Sequence, residues 1–357
     1  MPTLKSIVRP LVSWYKENKR PLPWRKDREP YHVWISEIML QQTRIEAVKK
    51  YYIRFLEALP DVRSLSEVDD DALLKLWEGL GYYSRARNLK KAAITITTEY
   101  GGSFPSSYDE LRKLSGIGDY TAAAIASICF GEKVPAVDGN VLRVVARLQK
   151  SRENVLLPET KKRVFHELSA IMPEEAGEFN EALMELGEVV CLPGGIPDCG
   201  RCPISAYCAA YREHLTEEIP VRVKQQKRKI IDKSVFLIRT PDRRIAIEKR
   251  NDDGLLSGMY QLPNVDGVYT DSERINILKG WVLSPKKVEY FKKSKHIFTH
   301  MEWHMSCLLV DVSEKNERFL WVTPKELLRT YPLPTAFSKL LKGALQGAAL
   351  CRGNSSL

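Results

Sequence analysis

The chain reads Leu-Ser-Gly-Ile-Gly-Asp-Tyr-Thr-Ala at residues 114–122, between two segments with helical spacing. Gly116 and Gly118 allow a tight turn, and backbone N–H groups at the start of the next helix can hold a phosphate of DNA without reading its sequence. A lone Gly-x-Gly is a plain helix connector. The full string, in which Thr121 and Ala122 open the second helix, is a more specific indication of a phosphate-binding hairpin. The stretch therefore predicts a hairpin of two helices that can contact a nucleic-acid backbone.

Helical spacing continues on both sides of this hairpin, and no strand alternation occurs in the first 212 residues. It recurs in five segments: Val33–Ala47, Asp71–Leu80, Arg85–Ile96, Thr121–Phe130 and Val141–Leu148. Proline and glycine separate the segments, for example Pro60 and the Asp138-Gly139-Asn140 turn. The first part of the chain is therefore predicted to be all-α.

The pattern changes after Tyr211. A basic, polar stretch at 213–232 reads as a solvated linker, and beyond it the apolar residues alternate with period two. The predicted strands are Val235–Ile238, Arg244–Glu248, Trp303–Val312 and Phe319–Val322, and helical signals return at Pro324–Leu328 and Phe337–Leu341. We expect an α+β domain at 233–350 and a short tail at 351–357.

Composition narrows the functional class. The 357 residues include 55 Lys+Arg and 45 Asp+Glu, which gives a net charge of +10 and favours anionic partners, above all nucleic acid. The longest apolar run, near Ala122–Phe130, is far below the roughly 20 residues of a membrane span, and the N-terminus lacks the apolar core of a signal peptide. We expect a protein of a reducing compartment, the cytoplasm.

Four of the seven cysteines are crowded into one stretch: Cys191, Cys199, Cys202 and Cys208. Four thiolates this close can fill one tetrahedral metal site or hold one cubane cluster. Zinc sites more often use two Cys-x-x-Cys pairs separated by a dozen or more residues, whereas one such pair is flanked here by two single cysteines. The spacing favours iron and sulfur over zinc, and four unligated thiols are the least favoured alternative.

Two carboxylates stand out in the helical part. Glu37 lies among large apolar residues and shares a helix face with Trp34 and Gln41, so it should favour its protonated form, as a general acid requires. The alternative is a surface glutamate paired with an arginine. Asp138 precedes a helix, and taken alone it reads as a turn residue or helix cap.

Together, these segments resemble the helix-hairpin-helix DNA glycosylases with an iron–sulfur loop, and within them the MutY-type adenine glycosylases. The resemblance covers nearly the whole chain. It rests on the following motifs: residues 36–43, Leu80–Leu89, the hairpin, the Asp138 turn, Phe179–Leu183, the four cysteines and the C-terminal domain. It implies a monomeric hydrolase that excises adenine mispaired with 8-oxoguanine in duplex DNA.

The resemblance also implies roles for individual residues. Glu37 would protonate adenine, Asp138 would stabilise the oxocarbenium-like sugar or attack it, and Tyr120 would position both. The adenine pocket would be formed by Arg20, Leu22, Trp24, Arg25 and Glu181. Contacts to DNA would come from Gln41, Gln42, Thr43, Tyr82, Gly116 and Gly118, and the four cysteines would hold a [4Fe–4S] cluster.

The C-terminal domain resembles the MutT-like, or Nudix-like, domain of the same family. It lacks the Arg-Glu-x-x-Glu-Glu pattern that binds magnesium in true hydrolases of this fold, so recognition is the implied task. Phe298, Thr299 and His300 match a Phe-Ser-His loop that would read 8-oxoguanine, with Thr299 keeping the hydroxyl of serine. The alternative is a strand end with incidental polar residues.

The implied layout has two domains. A catalytic region at 1–212 comprises a six-helix part at about 23–130 and an iron–sulfur part made of 1–22 and 131–212. The linker at 213–232 and the MutT-like domain at 233–350 follow.

Two other functions remain open from the residues. The first is a glycosylase that also cuts the DNA backbone, like endonuclease III, which carries a Schiff-base lysine where this chain has Tyr120. The second is a zinc-stabilised DNA-binding protein without catalysis.

Overall fold

A computed structural model of the chain describes residues 4–223, 228–251 and 254–341. Residues 224–227 of the expected linker and the expected tail at 351–357 lie outside these ranges. The chain divides into two compact units. The first unit is Met1–Glu67 with Asn88–Gln225, and the second is Val68–Arg87 with Gln226–Leu357. No helix in the described ranges is long and apolar enough to cross a membrane.

Helices make up the regular structure of the N-terminal half. They are α1 (Val8–Asn18), α2 (Pro30–Leu40), α3 (Ile45–Ala58), α4 (Val62–Glu67), α5 (Asp70–Leu76), α6 (Ser84–Glu99), α7 (Tyr108–Leu111), α8 (Asp119–Phe130), α9 (Gly139–Gln149), α10 (Pro158–Ser169), α11 (Ala176–Val189) and α12 (Ala209–Arg212). The all-α prediction for this part is confirmed, and α5 belongs to the second unit.

One core of the helical unit is formed where α1, α9 and α11 present their apolar faces to each other. Leu11, Val145, Phe179 and Leu183 are completely buried there. Burying each such side chain contributes roughly 1.5–3 kcal/mol, so this core fixes α11 against the helix that follows Asp138.

The prediction of continuous helical spacing from Val33 to Ala47 is wrong at its centre. α2 ends at Leu40 and α3 begins at Ile45, and Gln42 between them has a φ of 59°. A left-handed backbone at a residue other than glycine is uncommon and ends the α-helix. Apolar residues are buried in both helices, among them Met39 in α2 and Val48 in α3, so the apolar spacing continues on both sides of the break.

The hairpin predicted at residues 114–122 leads into α8, which begins at Asp119 with Gly118 as its N-cap residue. Gly116 has a φ of 76°, and a Cβ atom added there would lie 2.6 Å from Cβ of Asn88. Both the backbone angle and the contact require glycine at this position.

The second unit contains a mixed sheet. Its strands are β1 (Lys229–Arg239), β2 (Ile245–Lys249), β3 (Tyr260–Gln261), β4 (Asn264–Asp266), β5 (Pro285–Ile297), β6 (Met301–Val312) and β7 (Leu320–Val322). The order is β3-β2-β1-β6-β5, with β4 paired to β1 and β7 to β2. β1 and β6 are parallel, and the other pairs are antiparallel.

Alternate residues of β1 enter two different cores. Val235 and Leu237 are buried on one face of the sheet, and Phe236 and Ile238 on the other. The helices of this unit are α13 (Asp271–Gly280), α14 (Pro324–Arg329) and the helical residues 335–341. The four predicted strands and the α+β class are confirmed, whereas β5 was not predicted.

Residues 68–87 of the second unit are bonded to its sheet and loops. Asp71 accepts hydrogen bonds from Nζ of Lys249 at 2.8 Å and from the hydroxyl of Tyr260 at 3.1 Å. Arg87 donates to the carbonyl of Ser257 at 2.7 Å. A segment from the middle of the helical sequence is thus part of the C-terminal unit.

We expect Gly116→Ala to lower the free energy of unfolding by about 1–3 kcal/mol, because alanine is strained at positive φ and its Cβ would clash with Asn88. Gly118→Ala is the matched control, since its Cβ would meet no atom within 4 Å. Urea unfolding of both variants measures the difference. Equal stability of the two variants would contradict this account of the turn.

Candidate active site

A cavity of about 640 Å³ lies in the helical unit, within the size range of small-molecule sites. Its walls include eleven of the residues singled out from the sequence: Arg20, Leu22, Trp24, Arg25, Glu37, Gln41, Gln42, Thr43, Tyr120, Asp138 and Glu181. Gly116 and Gly118 do not line this cavity and lie in the hairpin. Segments far apart in the sequence therefore converge on one space.

Glu37 is buried on α2. Its Oε2 atom accepts a hydrogen bond from the hydroxyl of Tyr120 at 2.5 Å, and Oε1 has no hydrogen-bond partner within the described ranges. Burial raises the pKa of Glu37 to about 7, the negative charges of Asp138 and Glu181 add to this increase, and the bond from Tyr120 opposes it. A substantial fraction of Glu37 is therefore protonated at neutral pH.

Tyr120 lies in the first turn of α8, directly after the hairpin. Its hydroxyl also lies 3.0 Å from Sδ of Met184 on α11. Burial, together with the nearby carboxylates of Glu37 and Asp138, keeps the pKa of Tyr120 well above its usual value. Tyr120 is therefore a neutral hydrogen-bond donor that fixes the orientation of Glu37.

Asp138 is the N-cap residue of α9 and also lines the cavity. Its Oδ1 accepts from the backbone N–H of Val141 at 2.8 Å, and its Oδ2 accepts from Nδ2 of Asn140 at 2.9 Å. Burial raises the pKa of Asp138, while these bonds act in the opposite direction by stabilising the carboxylate. The predicted helix cap is thus confirmed, and the same side chain lines the cavity.

Asn140 connects Asp138 to the cysteine-bearing segment. Its Oδ1 accepts from Arg143 at 2.8 Å, and Nε of Arg143 donates to the carbonyl of Cys191 at 2.7 Å. A Cβ atom at Gly187 would lie 2.6 Å from Cβ of Asn140, so glycine at 187 lets α11 approach the turn. The orientation of Asp138 therefore depends on residues outside the cavity.

A second group of charges borders the cavity beside Asp138 and Glu37. Glu185 is almost completely buried and accepts from Arg20 at 2.6 and 2.8 Å and from Arg25 at 2.9 Å. Glu181 lies 3.6 Å from Arg25, and burial raises its pKa while Arg25 lowers it. Arg25 also covers the ring of Tyr15 at 5.4 Å.

Apolar and polar walls complete the cavity. Leu22 and Trp24 are buried, and Trp24 packs edge-on against Tyr52 at 5.6 Å. The turn between α2 and α3 supplies Gln41 and Thr43, and Nε2 of Gln41 donates to Oγ1 of Thr121 at 3.3 Å. Residues 41–43, which interrupt the predicted continuous helix, therefore line the cavity.

In the second unit, the structure joins two residues that the sequence separates by 217 positions. The hydroxyl of Tyr82 lies 2.7 Å from Oγ1 of Thr299, and both side chains are exposed. Phe298 is half-buried against Trp303 and His296, with ring centres 4.8 and 4.6 Å away. Phe298 thus anchors the turn that presents Thr299, and His300 is exposed beside it.

The four cysteines of the loop are free thiols. Burial and, to a smaller extent, the charges of Cys191, Cys199 and Cys208 raise the pKa of Cys202 to about 12. Nη1 of Arg147 donates to Sγ of Cys191 at 3.2 Å. Within the described ranges, no three or more His, Cys, Asp or Glu side chains have the arrangement of a formed metal site.

Several residues of the site were not found from the sequence: Asn140, Arg143, Met184, Glu185 and Glu188. Asn140 follows Asp138 by two positions, and Arg143 lies three positions further on, one helical turn away. That spacing was the available signal. Glu185 gave no signal, because its partners Arg20 and Arg25 are about 160 positions away.

Comparisons with known proteins agree with this architecture. Residues 35–174 match the HhH-GPD superfamily of base excision DNA repair proteins, and residues 234–343 match the NUDIX domain. A thermostable thymine-DNA glycosylase is 28% identical with a TM-score of 0.53, and covers 58% of this chain and 96% of its own. Endonuclease III in a non-covalent DNA complex is 27% identical with a TM-score of 0.51, over 61% of this chain and all of its own.

The fold and the site thus define a base excision repair protein of the helix-hairpin-helix class. An adenine DNA glycosylase of Buchnera aphidicola subsp. Schizaphis graminum is 34% identical over 85% of this chain and 87% of its own length. The human adenine DNA glycosylase is 40% identical over 58% of this chain and 40% of its own. The chain belongs to the adenine DNA glycosylase family, whose members are hydrolases of the base excision DNA repair class.

If the protonated form of Glu37 is the reactive one, the rate of base excision should fall as the pH rises through about 7, the pKa of this residue. The bond from Tyr120 lowers this pKa, so Tyr120→Phe should move the midpoint to higher pH. Glu37→Gln should abolish excision and leave duplex binding intact. Single-turnover rates from pH 5.5 to 9 and a binding isotherm measure these effects.

A flat pH profile for the unaltered chain, or unchanged turnover in Glu37→Gln, would contradict an acid role for Glu37. A midpoint that moves to lower pH in Tyr120→Phe would contradict the assigned direction of the hydrogen bond.

Proposed function

We propose that this enzyme hydrolyses the N-glycosidic bond of adenine paired with 8-oxoguanine in duplex DNA, and that it leaves an abasic site without cutting the backbone. One observation carries the proposal. Glu37, with a pKa of about 7 and a hydrogen bond from Tyr120, lines the same cavity as the carboxylate of Asp138. Such a cavity offers an acid and an anion to a base that has been flipped out of the duplex.

The reaction needs both groups because charge separates as the bond breaks. Glu37 gives its proton to N7 of adenine, and the electron pair of the C1′–N9 bond leaves with the base. Positive charge then develops on the sugar, where Asp138 stabilises it or forms a covalent intermediate, as in retaining glycoside hydrolysis. Water adds its hydroxyl to C1′ and returns a proton to Glu37.

Charged and apolar residues share the task of holding adenine. Glu181 would accept a hydrogen bond from the adenine amino group, and Arg25, 3.6 Å away, favours the ionised form of Glu181 against the burial that raises its pKa. Glu185 in turn fixes Arg20 and Arg25. The buried walls of Leu22 and Trp24 exclude water around the base, which strengthens these electrostatic interactions.

Backbone cleavage would need an amine to form a Schiff base with the sugar. No lysine lines the cavity among the described residues, and the first turn of α8 carries Tyr120 instead. These facts favour simple hydrolysis over lyase chemistry. A covalent DNA adduct trapped by borohydride would contradict this part of the proposal.

Recognition of the damaged base is assigned to Tyr82 and Thr299. 8-Oxoguanine carries a proton on N7, where guanine has only an acceptor, so a reader needs an acceptor at this position. Oγ1 of Thr299 can accept a hydrogen bond from this N7–H group. The hydroxyl of Tyr82, 2.7 Å away, fixes the position of Oγ1. The exposed ring of Tyr82 can stack on bases next to the lesion.

We expect Thr299→Val to reduce the preference for 8-oxoguanine over guanine by roughly tenfold, because the isosteric methyl group cannot accept a hydrogen bond from N7–H. Single-turnover excision of adenine opposite 8-oxoguanine, guanine and cytosine measures the preference. Thr330→Val, on another loop of the same unit, is the control. Equal rates for all three duplexes with the unaltered chain would refute the role of Thr299.

We further propose that Cys191, Cys199, Cys202 and Cys208 hold a [4Fe–4S] cluster. The donor set fits, because one loop supplies four free thiols, three of these cysteines, Cys191, Cys202 and Cys208, pack against the same core, and Arg147 donates to Cys191. When bound, the cluster would supply rigidity to a loop with little core of its own. Such a protein belongs where DNA is present and thiols stay reduced, which is the cytoplasm and, in a bacterium, the nucleoid.

The purified chain is expected to be brown and to contain four iron atoms and four sulfides per chain. Cys202→Ser should lose iron and the visible absorption, whereas Cys129→Ser, at a free cysteine outside the loop, should keep both. Elemental analysis and absorption spectra measure the result. A colourless protein with one zinc per chain would contradict the assignment.

A further inference from the structure

The edge strand β5 is unusually basic. Five of its thirteen residues are lysines, and all five are exposed: Lys286, Lys287, Lys292, Lys293 and Lys295. Glu289 is its only acidic residue. None of these lysines contributes to the site described above or to a core of the second unit.

Only some of this charge is neutralised by neighbours. Lys287 pairs with Glu289 at 2.7 Å, and Lys295 pairs with Glu302 at 2.5 Å. Lys286, Lys292 and Lys293 make no ion pair with any residue in the described ranges. Adjacent unpaired lysines repel each other, so their position on one strand favours an anionic ligand.

The geometry of the strand favours an extended anion over a small one. Lys292 lies opposite Cys307 and Lys293 opposite Ser306, so the two side chains leave opposite faces of the sheet at its outer edge. β5 is the last strand of the sheet order, and no described strand pairs with its outer side. Long side chains from both faces can therefore contact one ligand that lies along this edge.

The length of the lysine row matches that of a duplex segment. At about 3.3 Å per residue, the nine steps from Lys286 to Lys295 span about 30 Å, close to the roughly 34 Å of one DNA turn. Duplex DNA carries one negative charge per about 1.7 Å of its axis. β5 also leads directly into residues 298–300, the turn assigned above to the damaged base.

We propose that β5 is a phosphate-binding strand that lies along the backbone of duplex DNA and contributes affinity without sequence or lesion preference. The proposal rests on duplex DNA as the substrate but does not require that Thr299 reads 8-oxoguanine. Its sources of affinity are Lys286, Lys292 and Lys293, with Lys287 and Lys295 available once their carboxylate partners exchange for phosphate.

Lysines on an edge strand also prevent sheets from pairing with each other. That role alone requires charge at the edge but no ligand, so the two explanations make different predictions. Edge protection predicts self-association when the lysines are neutralised. Phosphate binding predicts a smaller salt dependence of DNA affinity in a chain that remains monodisperse.

The test uses the full chain with Lys292→Gln and Lys293→Gln combined, and a duplex without a lesion or mismatch. The slope of log Kd against log salt should fall by about 2, and affinity near 0.1 M salt should fall by roughly tenfold or more. Excision at saturating enzyme should be unchanged. Lys325→Gln with Arg329→Gln in α14 makes the same charge change in the same unit and should leave the slope unaltered.

An unchanged slope in the β5 variant, or an equal decrease in the α14 variant, would overturn the proposal. Self-association of the β5 variant with normal affinity per monomer, measured by sedimentation, would assign the lysines to edge protection. Loss of binding to another polyanion such as heparin, with duplex binding intact, would also overturn it. Because a lesion-free duplex is the probe, failure of the 8-oxoguanine assignment would not affect this result.

Discussion

Five carboxylates line one cavity of the helical unit. The free-energy cost of burying four of them, Glu37, Asp138, Glu181 and Glu185, explains the arrangement of the residues around these four. Each is accommodated differently. Glu185 is neutralised by two arginines, Glu181 has one arginine, and Asp138 accepts from the start of α9 and from Asn140. Glu37 accepts a hydrogen bond from the hydroxyl of Tyr120 and has no ion-pair partner among the described residues, and burial raises its pKa to about 7.

These surroundings shift the pKa values of the four carboxylates in different directions. The pKa of Glu185 is lowered, so this residue stays charged, whereas burial raises the pKa of Glu37 to about 7 and also raises those of Asp138 and Glu181. Carboxylates in one cavity therefore differ in acidity because of their surroundings and not because of residue type. The same bonds also fix side-chain directions, since Tyr120 bonds to the carboxyl group of Glu37 and Asn140 bonds to that of Asp138.

Local patterns in the sequence predicted local structure well. The hairpin, the helical class, four strands and the candidate acid all depend on neighbours in the chain. Predictions from the sequence missed features that depend on contacts between distant residues or on an exposed edge of the sheet. The pairing of Glu185 with arginines 160 positions away left no local pattern, and β5 showed none because lysines fill an edge that faces solvent. One local prediction also failed: the apolar periodicity continues from Val33 to Ala47, but Gln42 has a left-handed backbone conformation and separates two helices there.

The hydrogen bonds that Asp71 accepts from Lys249 and Tyr260 affect how a truncated form of this chain would behave. Removal of everything after the linker would delete both partners of Asp71 and the carbonyl that Arg87 donates to. Residues 68–87 would then lose the unit in which they are folded. A truncated enzyme would therefore combine two changes, the loss of the turn at residues 298–300 and the loss of the contacts that hold residues 68–87, and its kinetics would not isolate either.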